Sequence, residues 1–410
     1  MATNAPAAVT GIGLVTPAGI GRAPNWTAVC CGVPTADALD TLARSPVGFA
    51  STVPDGFDAV RLTGRRLSRR YDRSTQFALV AAQEALDDAH LTPAAMEEAR
   101  VAVVMGTAFG GVRTLEDNHA RLMAEGPDAV NARFLPNALA NMVSGILSIE
   151  LGTTGPAVVV STACASGATA IGTGLGLLRS GAADVVVAGG TDASVTPLQV
   201  AGFDKLRALS RASRFPPAQA SRPFDAEHDG FVIGEGAGVL VLERESDAAA
   251  RGISLYARLA GYGTTSDAHH ITSPAPDGRG AKEAIGQACR DGGLLPRDIA
   301  HVNAHATSTP TGDTVEAEVV AATTPTAVVT STKGVTGHTM GAAGAIEAAY
   351  TALALHTRTV PPVANLGTPC AGAEDLDLVI GDARSQTLAN AVSSSFGFGG
   401  HNAVLAFTTA

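Results

Sequence analysis

The sequence predicts an α/β protein whose sheet is mostly parallel, covered by helices on both faces and built twice over. Short β-branched runs recur at 101–105, 157–161, 184–188, 239–242 and 328–330, between glycine-rich turns and alanine-rich helical stretches. Strands alternating with helices are the pattern of a parallel sheet. The chain also repeats itself once, with a long period. A length of 410 residues adds room for about two core-bearing units.

Taken in order, the strand at 101–105 opens VAVVMGTAFGG, and the same plan returns in IAHVNAHATST. The strand at 157–161 runs as a buried, continuously apolar segment into a small-residue helix beginning near Cys164. Its counterpart is GHTMGAAGAIEAAYTALALH, which follows the strand at 328–330. The glycine turn and strand GEGAGVLVLERE, holding 239–242, is echoed by SFGFGGHNAVLAF near the end. The expected division is therefore an N-terminal half over 1–250 and a C-terminal half over 251–410, joined near RESDAAARG.

Composition narrows the function classes. The chain is 46% hydrophobic and 16% charged, too apolar for disorder, and its 46 glycines lack a collagen period. A net charge of −10 argues against general nucleic-acid binding by phosphate neutralisation. No apolar run reaches the roughly 18–20 residues of a membrane span, and MATNAPAAVTGIG lacks the features of a signal peptide. The expected compartment is the cytoplasm. Five scattered cysteines form no Cys-x-x-Cys pair, so neither a disulfide framework nor a zinc site is expected.

Four segments carry chemistry. In VVVSTACASGATAIGTGLGLLRSG, Cys164 sits between a strand and a helix, at the positive end of the helix dipole among unpaired N–H groups. Both effects favour thiolate over thiol. The plain alternative is a small buried core residue, against which stands the strand–turn–helix succession of a nucleophile elbow. In VNAHATSTPTGDTVEAE, His305 falls at the C-terminal end of a short strand, where α/β folds bind ligands, or else it caps a loop. Thr307 and Thr309 alternate in an extended segment and suit an amide-bearing ligand or ordinary turn bonding. In STKGVTGHTMGAAGAIEA, Lys333, His338 and Glu347 form either a buried charge network or a surface lysine and a capping histidine. In SSSFGFGGHN, the glycines around Phe396 and Phe398 free backbone N–H groups to face an oxyanion, or make a hairpin.

In this order the four segments resemble the β-ketoacyl-acyl carrier protein synthases of the thiolase superfamily, most closely the elongating synthase II type. The resemblance runs from TGIGLVTPAG through RPFDAEHDGFVIGEGAGVLVLE to FGFGGHN. It implies a thiolase-like five-layered αβαβα fold from two duplicated halves, working as a dimer. It also implies that Cys164 takes an acyl chain from carrier-protein phosphopantetheine as a thioester. Malonyl-carrier protein then loses carbon dioxide, and its enolate attacks that thioester. His305 and His338 would polarise the malonyl carbonyl and hold the enolate, with Lys333 and Glu347 ordering them. The backbone N–H groups of Cys164 and Phe398 would form the oxyanion hole, Phe398 would gate the acyl pocket, and Phe396 lies in the same loop. Thr307 and Thr309 would bind pantetheine. No cofactor or metal is implied, since the substrates ride on the carrier protein.

His338 separates this chain from initiating synthases, which resemble it but carry Asn there. Thiolases would place a second cysteine in the C-terminal loop, and chain-length factors, the non-condensing partners, lack the nucleophile. The resemblance also gives a use to RLTGRRLSRRYDR. Acidic carrier proteins would dock on Arg65, Arg66, Arg69, Arg70 and Arg207, unless the cluster is simply a solvated face. Phe109 falls where the family lines its acyl pocket, and its ring is expected to narrow it. Ala306 stands where a glycine is frequent, and the segment from Asp313 to Lys333 is short for an elongating synthase. DRSTQFALVAAQEAL and the basic stretch after Arg207 resemble polyketide ketosynthases, while STACASGA and GFGGHN lean toward fatty-acid synthases. The expected setting is a type II polyketide pathway beside a chain-length factor, with a homodimeric fatty-acid synthase II as the alternative.

Overall fold

The computed structural model describes residues 5–66 and 68–410, so the basic stretch 61–73 is described apart from Leu67. Ten strands build the frame. The first five are β1 (Ala7–Thr16), β2 (Val101–Gly106), β3 (Ala157–Val160), β4 (Val185–Asp192) and β5 (Gly236–Arg244). The second five are β6 (Ala257–Ser266), β7 (His301–Asn303), β8 (Val328–Thr330), β9 (Asn390–Gly397) and β10 (His401–Thr408).

Hydrogen bonding orders them 3-2-4-5-1 and 8-7-9-10-6, the same permutation displaced by five. The two sets are joined where β1 pairs antiparallel with β6 through Ala7, Ala8 and Val9. Within each set three strands pair in parallel, and one (β5 or β10) runs against the rest. The expected mostly parallel sheet is thus present twice, each copy with one reversed strand.

Side-chain alternation shows why the strands read as continuous apolar runs. In β2, Val101, Val103 and Met105 face one core while Ala102 and Val104 face another. The first of these cores lies beneath helices α1 (Arg73–Asp88) and α2 (Met142–Leu151). The second lies between the two sheets and holds α3 (Ser166–Arg179) and α6 (Ala343–Thr357). A third separates the other sheet from α4 (Arg279–Asp291) and α5 (Pro310–Thr323). Helix, sheet, helix, sheet and helix therefore stack in five layers.

The strand leading to Cys164 departs from expectation. Its continuous apolar run reads as buried, yet β3 is the sheet's outermost strand, pairing only with β2, and Ala157 and Val158 are exposed. No strand among the described residues pairs with that side. In the middle layer, α3 and α6 meet through small residues. A Cβ on Gly167 would lie 2.6 Å from the backbone nitrogen of Ala345, and one on Gly344 would lie 2.8 Å from that of Ala168. That approach brings the start of α3 against the loop preceding α6.

Candidate active site

Cys164 lies on the turn between β3 and α3. Ala163 before it is left-handed, with φ of 51°, a conformation that costs a non-glycine residue about 1–3 kcal/mol. Ser166 holds the turn closed: its hydroxyl accepts from Thr162 N at 2.9 Å and donates to Ala163 O at 2.6 Å. The helix itself begins at Ser166, two residues later than its sequence suggests, because this strained turn stands between strand and helix. The backbone N–H groups of Cys164 and Phe398 both point at the thiol.

Two histidines from the other half face it. His338 Nε2 is 3.0 Å from Cys164 Sγ. The rings of His305 and His338 lie 5.3 Å apart at 85°. His305 is placed by the end of β7, where its N–H and that of Ala306 donate to the two oxygens of Glu316 on α5, at 2.7 and 2.6 Å. His338 is placed by its backbone, which bonds Val232 O at 2.7 Å and receives Gly234 N at 2.8 Å. Lys333 and Glu347, both buried, pair directly behind the histidines.

Burial sets the direction of the protonation equilibria. Burial, reinforced by the charge of Lys333, holds both imidazoles well below their ordinary range, so both are neutral. Each Nδ1 is buried with no partner among the described residues. An unpaired acceptor is cheaper there than an orphaned N–H, which puts the proton on Nε2 in both rings. Burial pushes the Cys164 thiol up to about 12, against the pull of Lys333 and of the Phe398 and Cys164 N–H groups. Desolvation thus works against the thiolate expected from helix position, in the direction of a neutral thiol beside a neutral imidazole. Burial likewise raises Glu316 to about 8 and Glu347 to about 7. The sulfur and the two imidazoles place their ligating atoms within 4.8 Å of one another, a donor set that a soft divalent cation would accept.

A cavity of about 260 Å³ opens onto this constellation. Thr307 and Thr309 line it, their hydroxyls 3.0 Å apart. Neither hydroxyl caps the following helix, and each bonds the other at the cavity wall. Phe396 and Phe398 also line it, as does exposed Arg207. Phe109 does not. It stands one ring behind the wall, edge-on to Phe203 at 6.1 Å, and Phe203 in turn contacts Phe398 at 6.3 Å. Sequence reasoning missed Phe203 because one aromatic on a helix carries no signal of its own. Glu316 was missed because its role depends on α5 folding back over β7.

The basic cluster divides. Arg65 is committed internally, to the carbonyl and carboxylate of Glu150 and to Gln83 at 3.3 Å. Arg73 pairs with buried Glu235 at 2.7 Å. Arg66, Arg69 and Arg70 are exposed, with no carboxylate partner among the described residues. Of the expected docking residues, Arg65 is therefore structural.

Comparison with known proteins agrees with this geometry. Residues 4–248 match the β-ketoacyl synthase N-terminal domain and residues 256–367 its C-terminal domain. The chain is 42% identical to 3-oxoacyl-[acyl-carrier-protein] synthase 2 of Synechocystis sp. over 97% of both chains. It is 40% identical to the synthase 2 of Staphylococcus aureus over 99% of both. Among solved structures, the ishigamide ketosynthase/chain length factor superposes with a TM-score of 0.93 at 30% identity, over 100% of both chains. A type II PKS ketosynthase, bound to the hexaketide and in complex with its acyl-carrier protein, gives 0.91 at 29% over 99% of both. No described helix is long and apolar enough to cross a membrane. Fold, site and relatives converge: the chain belongs to the β-ketoacyl synthase family and is a 3-oxoacyl-[acyl-carrier-protein] synthase, an acyltransferase.

Proposed function

We propose that Cys164 is the acyl acceptor and that His305 and His338 stabilise the enolate of the condensation. The approach of His338 Nε2 to Cys164 Sγ at 3.0 Å, with His305 beside it, carries this reading. Sulfur attacks the acyl thioester carbonyl while the Phe398 and Cys164 N–H groups receive the oxyanion. The pantetheine sulfur departs with the proton lost by the thiol. Malonyl thioester then enters, and its C–C bond breaks to release carbon dioxide. The resulting enolate oxygen accepts from the two Nε2–H groups, both pre-set as donors by the orphaned Nδ1 atoms. The enolate carbon bonds the acyl carbon, and the Cys164 sulfur leaves as thiolate and takes up a proton from solvent. Thr307 and Thr309 bind the pantetheine amides, Lys333 and Glu347 order the histidines, and Phe398 gates the acyl pocket. Phe109 acts on that pocket through Phe203. Arg66, Arg69, Arg70 and Arg207 receive the acidic carrier protein.

The proposed setting is a type II polyketide pathway in which the chain pairs with a chain-length factor. Superposition on the ishigamide and hexaketide-bound ketosynthases supports it. The higher identity to the two synthase 2 proteins favours the second reading, a homodimer in fatty-acid synthesis. Intact-protein mass spectrometry with acyl- and malonyl-carrier protein tests both. Wild type should gain an acyl group that Cys164→Ala cannot take. Elongation only with a co-expressed chain-length factor supports the polyketide reading, and elongation by the chain alone supports the homodimer. A wild type that is never acylated overturns the role of Cys164.

A further inference from the structure

One buried carboxylate near the site has no part in the chemistry above. Asp192 ends β4 and is fully buried. It accepts four hydrogen bonds, and they arrive from two other segments. Thr107 Oγ1 donates at 2.7 Å, Ala108 N at 2.9 Å and Phe109 N at 3.2 Å, all from the turn after β2. Gly341 N donates at 2.7 Å, three residues beyond His338. Thr107 Oγ1 also accepts from Gly110 N at 2.9 Å, extending the tie along the turn.

The joint leaves no slack. A Cβ on Gly341 would lie 2.5 Å from Asp192 Oδ2 and 2.5 Å from Ala108 N. A Cβ on Gly190 would lie 2.6 Å from Gly341 O and 2.9 Å from Gly167 Cα, on the helix that follows Cys164. Electrostatics exclude an activating role, because the charge of Asp192 opposes ionisation of Cys164. A carboxylate of the wrong sign for the nucleophile, saturated by donors from neighbouring segments, is placed to hold them.

We propose that Asp192 is a positioning residue for the condensation: its carboxylate pins the turn carrying Phe109 to the loop carrying His338 and fixes both against the Cys164 elbow. The effect on the acyl pocket passes from Phe109 through Phe203, and the effect on chemistry passes through the loop to His338. The inference rests on Cys164 and His338 being the reacting pair.

Each Asp192 oxygen accepts two of the four bonds, so a proton on either would displace a donor, and the joint works only while the carboxylate is ionised. Burial raises its pKa to about 6. The ionisable groups on the segments packed against it are Cys164 on the elbow and His338 on the loop. The neighbouring strand edge adds Glu235, which Arg73 already holds, and the turn 107–111 carries none. Activity that depends on this joint is lost as pH falls through about 6.

The test compares full-length wild type, Asp192→Asn, Thr107→Val and Gly341→Ala for kcat, KM, product length and melting temperature. Asp192→Asn presents an NH2 to N–H groups. It should lower kcat on the order of 100-fold, the scale of a displaced reacting group. KM for malonyl-carrier protein should stay within about threefold, and the product distribution should broaden. Thr107→Val removes the hydroxyl that donates to the carboxylate and accepts from Gly110 N, and should cost about tenfold or more. Gly341→Ala breaks the same joint without touching charge, so the double variant with Asp192→Asn should be no worse than the poorer single. The acid limb near pH 6 should be present in wild type and absent in Asp192→Asn. Wild-type kcat and products in Asp192→Asn, or losses fully explained by its unfolded fraction, would overturn the proposal. Should Asp192→Asn fail to fold, an unchanged Thr107→Val does the same. An unacylated wild type removes the premise, which an acylated wild type beside an unaffected Asp192→Asn would leave standing.

Discussion

Glu316 shows how a single side chain couples the site to the stability of the chain. It is buried, and its two oxygens are used by the backbone of His305 and Ala306. Burial raises it to about 8, whereas in the unfolded chain a glutamate titrates near ~4.3. The folded state thus holds this proton more tightly. The stability it confers is full below the unfolded value and is lost as pH rises through about 8. Glu347, raised to about 7, acts in the same direction. Thermal melts between pH 5 and 9 should show wild type losing stability as pH rises, with a shallower fall in Glu316→Gln. Equal slopes would mean Glu316 is ionised throughout. Cys164, His305, His338, Lys333 and Glu347 are legible in the sequence because each stands in a segment with its own turn or strand signal. Glu316 and Asp192 are not, because their partners are backbone N–H groups supplied by other segments, which no local pattern announces.

At the level of elements, the site depends on how closely α3 and α6 cross. Gly167→Ala would set a methyl 2.6 Å from the backbone of Ala345, where no flexible side chain can yield. The expected cost is about 1–3 kcal/mol, read by denaturant unfolding. Acylation at Cys164 should suffer more than stability, because the helix start carries the elbow toward or away from His338. A variant that is destabilised yet acylated at the wild-type rate would show that the elbow moves independently of its helix. The strands were readable because both faces of a central strand are buried, which leaves an unbroken apolar run. The same cue misled at β3. An edge strand whose side chains suit burial looks identical in sequence, and only pairing shows that its outer side is bare. The helix start was also misplaced, since the left-handed Ala163 leaves no mark in a run of small residues.

For the whole molecule, charge is unevenly spread over a surface that is acidic on balance. Arg66, Arg69 and Arg70 lie exposed, while Arg65 is spent on Glu150. Charge reversal at the three exposed arginines should raise KM for carrier protein by about tenfold at low salt, converging with wild type as salt screens the attraction. Arg65→Ala should instead lower the melting temperature and leave the salt dependence unchanged. Composition alone gave the cluster but not this division. The duplicated strand order has a further consequence, concerning inheritance. In the repeat, the position of His305 after β7 is held after β2 by Thr107, and the loop after β8 holds Lys333 and His338 while the turn after β3 holds Cys164. On the proposed roles, one half supplies the nucleophile and the other the imidazoles. Neither copy retains a spare of what the other supplies, so the duplication confers no redundancy: damage to a functional residue in one half has no back-up in the other, and the two halves are bound to evolve as one.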